Sequence, residues 1–216
     1  MAGILDLLNS DLGKTIVSGV AGSTGQDTNK TNDVLTMALP VLMKAMQRNA
    51  STPEGAEGLM GALNKHDGGI LDNLGGLFSG GVNADVIQDG SKILGHVLGN
   101  KQQGVEQVIG QKAGMDTSSV ADILKVATPI LMGVLGQQKR QNNVSNSGDL
   151  SGLLGGLLGG SSTEKEQSFL EKILDADGDG SIVDDVAGMV LGNASSSQQK
   201  SGGLLGGLLG GVFGKK

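Results

Sequence analysis

The stretch Asp175-Ala-Asp-Gly-Asp-Gly-Ser-Ile-Val-Asp-Asp185 sets acidic side chains at alternate positions around a glycine, the pattern that wraps oxygen ligands about a calcium ion. Calcium takes roughly six to eight oxygen ligands at about 2.3–2.6 Å, and an EF-hand loop supplies them from alternate residues of a tight coil. Asp175, Asp177 and Asp179 stand at positions 1, 3 and 5 of such a loop, Gly180 at the sharp turn, and Ser181 offers its backbone carbonyl next. Where a full EF-hand ends in a bidentate glutamate this chain has Val186, so Asp185, helped by Asp184, closes a loop one residue shorter. The incomplete set predicts moderate to weak Ca2+ binding, with a dissociation constant of about 10⁻⁵ to 10⁻³ M. The competing reading is a solvated acidic turn, since Asp and Gly favour turns for local reasons.

Other chemistry is sparse. The two histidines carry the side chains that titrate near neutrality. His66 adjoins Asp67 and His96 lies in an apolar helical run, but the sequence places no metal or acid–base partner beside either. The chain has no Gly-x-Ser-x-Gly elbow, no phosphate loop and no His-Glu-x-x-His. The pairs Asp27-Thr28 and Asp116-Thr117 are explained by helix capping before catalysis. The expectation is a protein that is not an enzyme; a small-molecule hydrolase using His66 and His96 is the weakest alternative.

The flanks of the acidic loop must position it. Phe169, Leu170, Ile173 and Leu174 recur at helical spacing before it, and Val186, Met189 and Val190 after it, which predicts a helix–loop–helix. Upstream, Asp27-Thr28 through Asp33-Val-Leu-Thr-Met-Ala-Leu-Pro-Val-Leu-Met43 matches Asp116-Thr117 through Asp122-Ile-Leu-Lys-Val-Ala-Thr-Pro-Ile-Leu-Met132 at a constant offset of 89 residues. A repeat of this kind reads as two equivalent helical units. Each Asp-Thr pair starts a long helix, and Pro40 and Pro129 inside those runs predict a kink or a junction of two helices. Further amphipathic segments fall near 12–21, 56–63, 86–98 and 104–113.

The expected fold is therefore all-α, a small bundle of about six to eight helices built from two related halves. Its organisation is a repeat domain over 1–148, with units near 10–60 and 99–148, a Gly/Leu-rich linker over 149–163, the calcium segment over 164–193 and a flexible tail over 194–216. Three Leu-Gly tracts punctuate it: Gly68–Gly81, Leu153–Gly160 and Leu204–Gly211, the last two being the same octapeptide. Glycine-rich segments of this type act as linkers or order on a partner, another copy or a membrane surface. Flexible linkers with some exposed leucines are the first reading; self-association or docking of a protein partner through them is the sharper one.

The 216 residues carry net charge −6, 39 Gly, three Phe and no Cys, Trp or Tyr. The acidic balance and missing rings argue against nucleic acid, which wants a basic surface and stacking platforms. Lack of cysteine removes disulfides and thiol chemistry. Asp6 and Asp11 interrupt the amino terminus as a secretory leader, and the uncharged stretches near 150–163 and 201–214 are short and glycine-rich, so membrane contact is not expected. A cytoplasmic location follows, with the periplasm or export without a signal peptide left open.

The repeat, the Pro-Val-Leu-Met and Pro-Ile-Leu-Met runs, and the order Leu59-Met-Gly-Ala-Leu63, Gly69-Ile-Leu-Asp72, Ile93-Leu-Gly-His96 resemble a bacterial domain-of-unknown-function family, the one that includes YidB-like proteins. The resemblance covers roughly residues 1–160, and the acidic loop is similar to tails in that family. It implies a helical domain of related halves and transfers no catalytic residue. Two functions are expected on these grounds: an interaction or scaffold protein with calcium as a clip on its tail, or a calcium sensor or buffer whose tail orders on binding the ion.

Overall fold

The computed structural model describes residues 3–159, and every regular element among them is helical. Helices α1 (Ile4–Asn9), α2 (Asp11–Thr24), α3 (Thr28–Asn49) and α4 (Pro53–Lys65) make the first half. Two short helices, α5 (Gly69–Asp72) and α6 (Leu74–Phe78), lead to α7 (Ala84–Leu98), α8 (Gln102–Ala113), α9 (Thr117–Gln141) and α10 (Ser147–Gly159). The all-α fold of related halves is the one observed.

The repeat works through its helix ends. Asp27 and Asp116 are N-caps, accepting the amides of Lys30 and Ser119 at 3.0 and 2.9 Å. Gly25 and Gly114 end α2 and α8 in left-handed conformations, at φ 67° and 63°, which only glycine enters without strain. The two turns thus stand 89 residues apart like the sequences that encode them.

Each half leans on the other. Helix α4 packs on α9 and α10 packs on α3, while α2 meets α9 and α8 meets α3. One apolar cluster therefore runs from Ile4 to Leu157 through both halves, with Leu35, Leu42, Met43, Ile123, Leu124 and Met132 fully enclosed. A helix buries a stripe only against a neighbour, so the exchange of α4 and α10 makes the halves interdependent.

The prolines do not divide the helices. Pro40 lies inside α3 and Pro129 inside α9, each a single element of 22 and 25 residues. A proline removes one backbone donor, leaving the carbonyl four residues back without it; for Pro129 that carbonyl belongs to Lys125. Gly90 of α7 lies directly against it, and a Cβ built there would sit 1.8 Å from the Lys125 oxygen. Residues on both sides of Pro129, Val126 to Leu131, are buried, so packing holds the helix together across the missing bond.

The second Leu-Gly tract is not a linker as far as Gly159. It is α10, with Leu150, Leu153, Leu154 and Leu157 buried at the helical spacing of one face. Burial of four leucines outweighs the helix cost of the glycines, roughly 0.5–1 kcal/mol each. Asn146 starts it, its side chain accepting from the Asp149 amide while donating to the Asp149 carboxylate.

Helix α9 has the length and hydropathy of a membrane span, yet 78% of its most apolar window is enclosed in the bundle. Its composition is that of a central helix surrounded on all sides.

Thr31, on the first turn of α3, is fully buried and its hydroxyl has no hydrogen-bond partner. The equivalent position in the second half is Val120, which has the same shape without the hydroxyl. Thr31→Val is expected to stabilise the protein by about 1 kcal/mol, because an unpaired buried hydroxyl carries its full desolvation cost. A denaturant midpoint that falls instead of rising would show the hydroxyl to be satisfied.

Candidate functional site

The six residues of the acidic loop, Asp175, Asp177, Asp179, Ser181, Asp184 and Asp185, lie outside the described residues, as does the third Leu-Gly tract. Among the described residues no group of three His, Asp or Glu side chains comes together to hold a metal. Asp27 and Asp116 cap helices, and the carboxyl of Asp116 is held well below the usual range by the hydroxyls of Ser118 and Ser119 and the Ser119 amide.

The two histidines serve different places. His66 closes α4 and its Nε2 lies 3.3 Å from the Asp89 carboxylate on α7, a pair 23 residues apart that local sequence does not announce. The backbone carbonyl of His66 abuts α9, where a Cβ at Gly136 would stand 1.8 Å from it. His96 is exposed on α7, and its carbonyl accepts from the Asn49 side chain at 3.2 Å, tying α7 to the end of α3.

Glu106 is the one buried carboxylate among the described residues, 6% exposed on α8. Its Oε1 accepts from Gln102 at 2.8 Å. Burial pushes its pKa up, opposed by the Gln102 hydrogen bond and by Lys125. A raised folded-state value means a stabilising contribution that is present at low pH and lost as pH rises through that value. Glu106→Gln is expected to raise stability at pH 7 by about 1 kcal/mol, by removing a desolvated charge while keeping the amide contact. The gain should vanish near pH 4, where the unfolded carboxyl is itself about half protonated. Thermal melts at the two pH values check this, and an equal shift at both would assign the effect to packing.

The feature of the described residues best suited to binding is an open groove of about 510 Å³ between the end of α3, α4 and α7. Leu59 and Ile93 form its floor, over the enclosed Met46 and Met132. Gly55 and Gly58 give α4 a low wall on this side, and Arg48, Glu54 and His96 stand around it. A Cβ built on Gly58 meets nothing within 4 Å, so the wall leaves room for a second backbone to approach. Geometry of this kind receives an apolar segment; its lining offers no nucleophile paired with a base.

A family model described as bacterial protein of unknown function (DUF937) matches residues 6–138 and 142–216. The chain belongs to DUF937. The first matched stretch spans nearly all of α1 to α9, and the second takes in α10, the acidic loop and the last Leu-Gly tract of this DUF937 protein. No curated protein and no solved structure matches it. The groove was not legible in the DUF937 sequence, because its lining draws on residues as far apart as Met46 and Met132. The hint available was the glycine run Gly55, Gly58, Gly61 on an otherwise helical segment.

Proposed function

We propose that the protein is a non-enzymatic interaction or scaffold protein that receives an apolar helical segment, from another copy or a protein partner, in the α3–α4–α7 groove. The observation that carries the reading is the groove's apolar floor and glycine wall. Helix α10 supports it by showing how a Leu-Gly helix is held on α3 and α4. On the motifs quoted above we place the chain with the YidB-like members of its family. The loop Asp175–Asp185 acts as a weak Ca2+ clip on the tail, and neither nucleic acid nor a membrane is a partner.

Light scattering across a hundredfold concentration range tests the interaction. A mass that rises with concentration, or a partner retained in pull-downs, and that is lost with Gly58→Arg supports the reading; a strictly monomeric protein with empty pull-downs overturns it. Calorimetric titration with Ca2+, against Mg2+ as control, tests the clip at about one ion per chain.

The alternating aspartates favour one second reading, a calcium sensor or buffer. It requires a change in helicity or dye binding on adding Ca2+ that Asp175→Ala and Asp177→Ala abolish.

A further inference from the structure

The groove lies beside α10, a helix whose last eight residues the chain carries twice. Residues 152–160 read Gly-Leu-Leu-Gly-Gly-Leu-Leu-Gly-Gly, and residues 203–211 read the same. The first copy shows what this peptide does on this fold: as part of α10 it buries Leu153, Leu154 and Leu157 against α3 and α4. Its Gly155 comes close to Gln47, where an added Cβ would stand 3.4 Å from Nε2. Gln47 is the neighbour of Met46 and Arg48, which line the groove. The seat of the first copy and the groove are therefore adjacent flanks of the same two helices.

We propose that the α3–α4–α7 groove is the docking site of the chain's own second Leu-Gly copy, Gly203–Gly211. The proposal rests on the interaction reading above and adds the resting occupant of its site, a segment that a partner must displace.

Four observations commit the groove to this occupant. The peptide suits these helices, since the identical sequence is already buried on the adjacent flank of α3 and α4. In the register of the repeat, Leu204, Leu205 and Leu208 correspond to the buried Leu153, Leu154 and Leu157 of α10, whose i, i+1, i+4 spacing shares one helical face. On the groove side, Gly58 leaves room for a second backbone, since a Cβ there meets nothing within 4 Å. The connection also allows it: 44 residues separate Gly159 from Leu204, and Gly159 ends the helix that packs on α3 and α4. Being tethered, the tail meets the groove at an effective concentration that a free partner must exceed.

The absence of cysteine makes the test clean. Gly58→Cys with Gly206→Cys in the full chain sets one thiol on the groove wall, at a position with room for it, and one in the tail. Mild oxidation is followed by intact mass and non-reducing gels. The control pairs Gly206→Cys with Gly75→Cys, an exposed α6 position outside the groove where a Cβ also meets nothing. The expected result is an internally crosslinked monomer forming about tenfold faster than the control, and slowing to the control rate when Leu204, Leu205 and Leu208 are changed to Ser. A rate equal to the control overturns the proposal, and so does a disulfide-linked dimer, which seats the tail of a second copy there. Light scattering on the parent chain reads the interaction function separately, so either idea can fail alone.

Discussion

Gly90→Ala is expected to destabilise the fold by about 3 kcal/mol, the upper end of the usual cost of overpacking. The methyl group would arrive 1.8 Å from the Lys125 carbonyl oxygen and 2.8 Å from its carbon, both backbone atoms of the central helix. A flexible side chain could swing aside; a helix backbone held from both halves cannot. The clash falls on the carbonyl that Pro129 deprives of a donor, so the approach of α7 is part of how α9 runs on through its proline. Gly95→Ala in the same helix is the control, because its Cβ meets nothing within 4 Å. That variant should gain about 0.5–1 kcal/mol from helix propensity alone. Urea midpoints at constant slope separate the two signs. Equal small effects would mean that α7 stands farther from α9 than described. Gly136→Ala, aimed at the His66 carbonyl, should behave as Gly90→Ala does.

Leu154→Ala is expected to cost about 2–5 kcal/mol, the range for emptying a fully buried leucine site. Leu154 is completely enclosed although it belongs to a tract that is half glycine. For a folded unit of this size the loss corresponds to a fall in melting temperature of roughly 5–15 °C. Gly152→Ala in the same helix meets nothing and should stabilise it slightly. A linker would respond to neither change, so the opposite signs of the pair identify α10 as a structural helix. No change at Leu154 would return the tract to a tether.

Much of this plan follows from local pattern. The Asp-Thr starts and the left-handed glycines at 25 and 114 punctuate the chain through backbone hydrogen bonds that short range decides. The apolar spacing of 12–21, 56–63, 86–98 and 104–113 foretold α2, α4, α7 and α8. Helix α1, six residues long, was too short to stand out, although Ile4-Leu5 echoes Ile93-Leu94 at the repeat offset.

Where pattern misled, long-range packing outweighed intrinsic propensity. Glycine content marks 149–163 as a linker because each glycine penalises a helix, but that scale does not include the groove on α3 and α4 that buries the leucines. Proline marks 40 and 129 as a kink or a junction because one hydrogen bond is lost; the enclosed side chains on either side rule out the junction.

By itself, the sequence determined the all-α class and the two related halves with their caps, since each depends on neighbours within a few turns or on exact repetition. Only the tertiary structure decided that the halves exchange α4 and α10, that His66 meets Asp89, that Glu106 is buried, and that α3, α4 and α7 leave a groove between them. Those features join residues distant in the chain, and side-chain volume and backbone approach in three dimensions set them, quantities that no local spacing encodes.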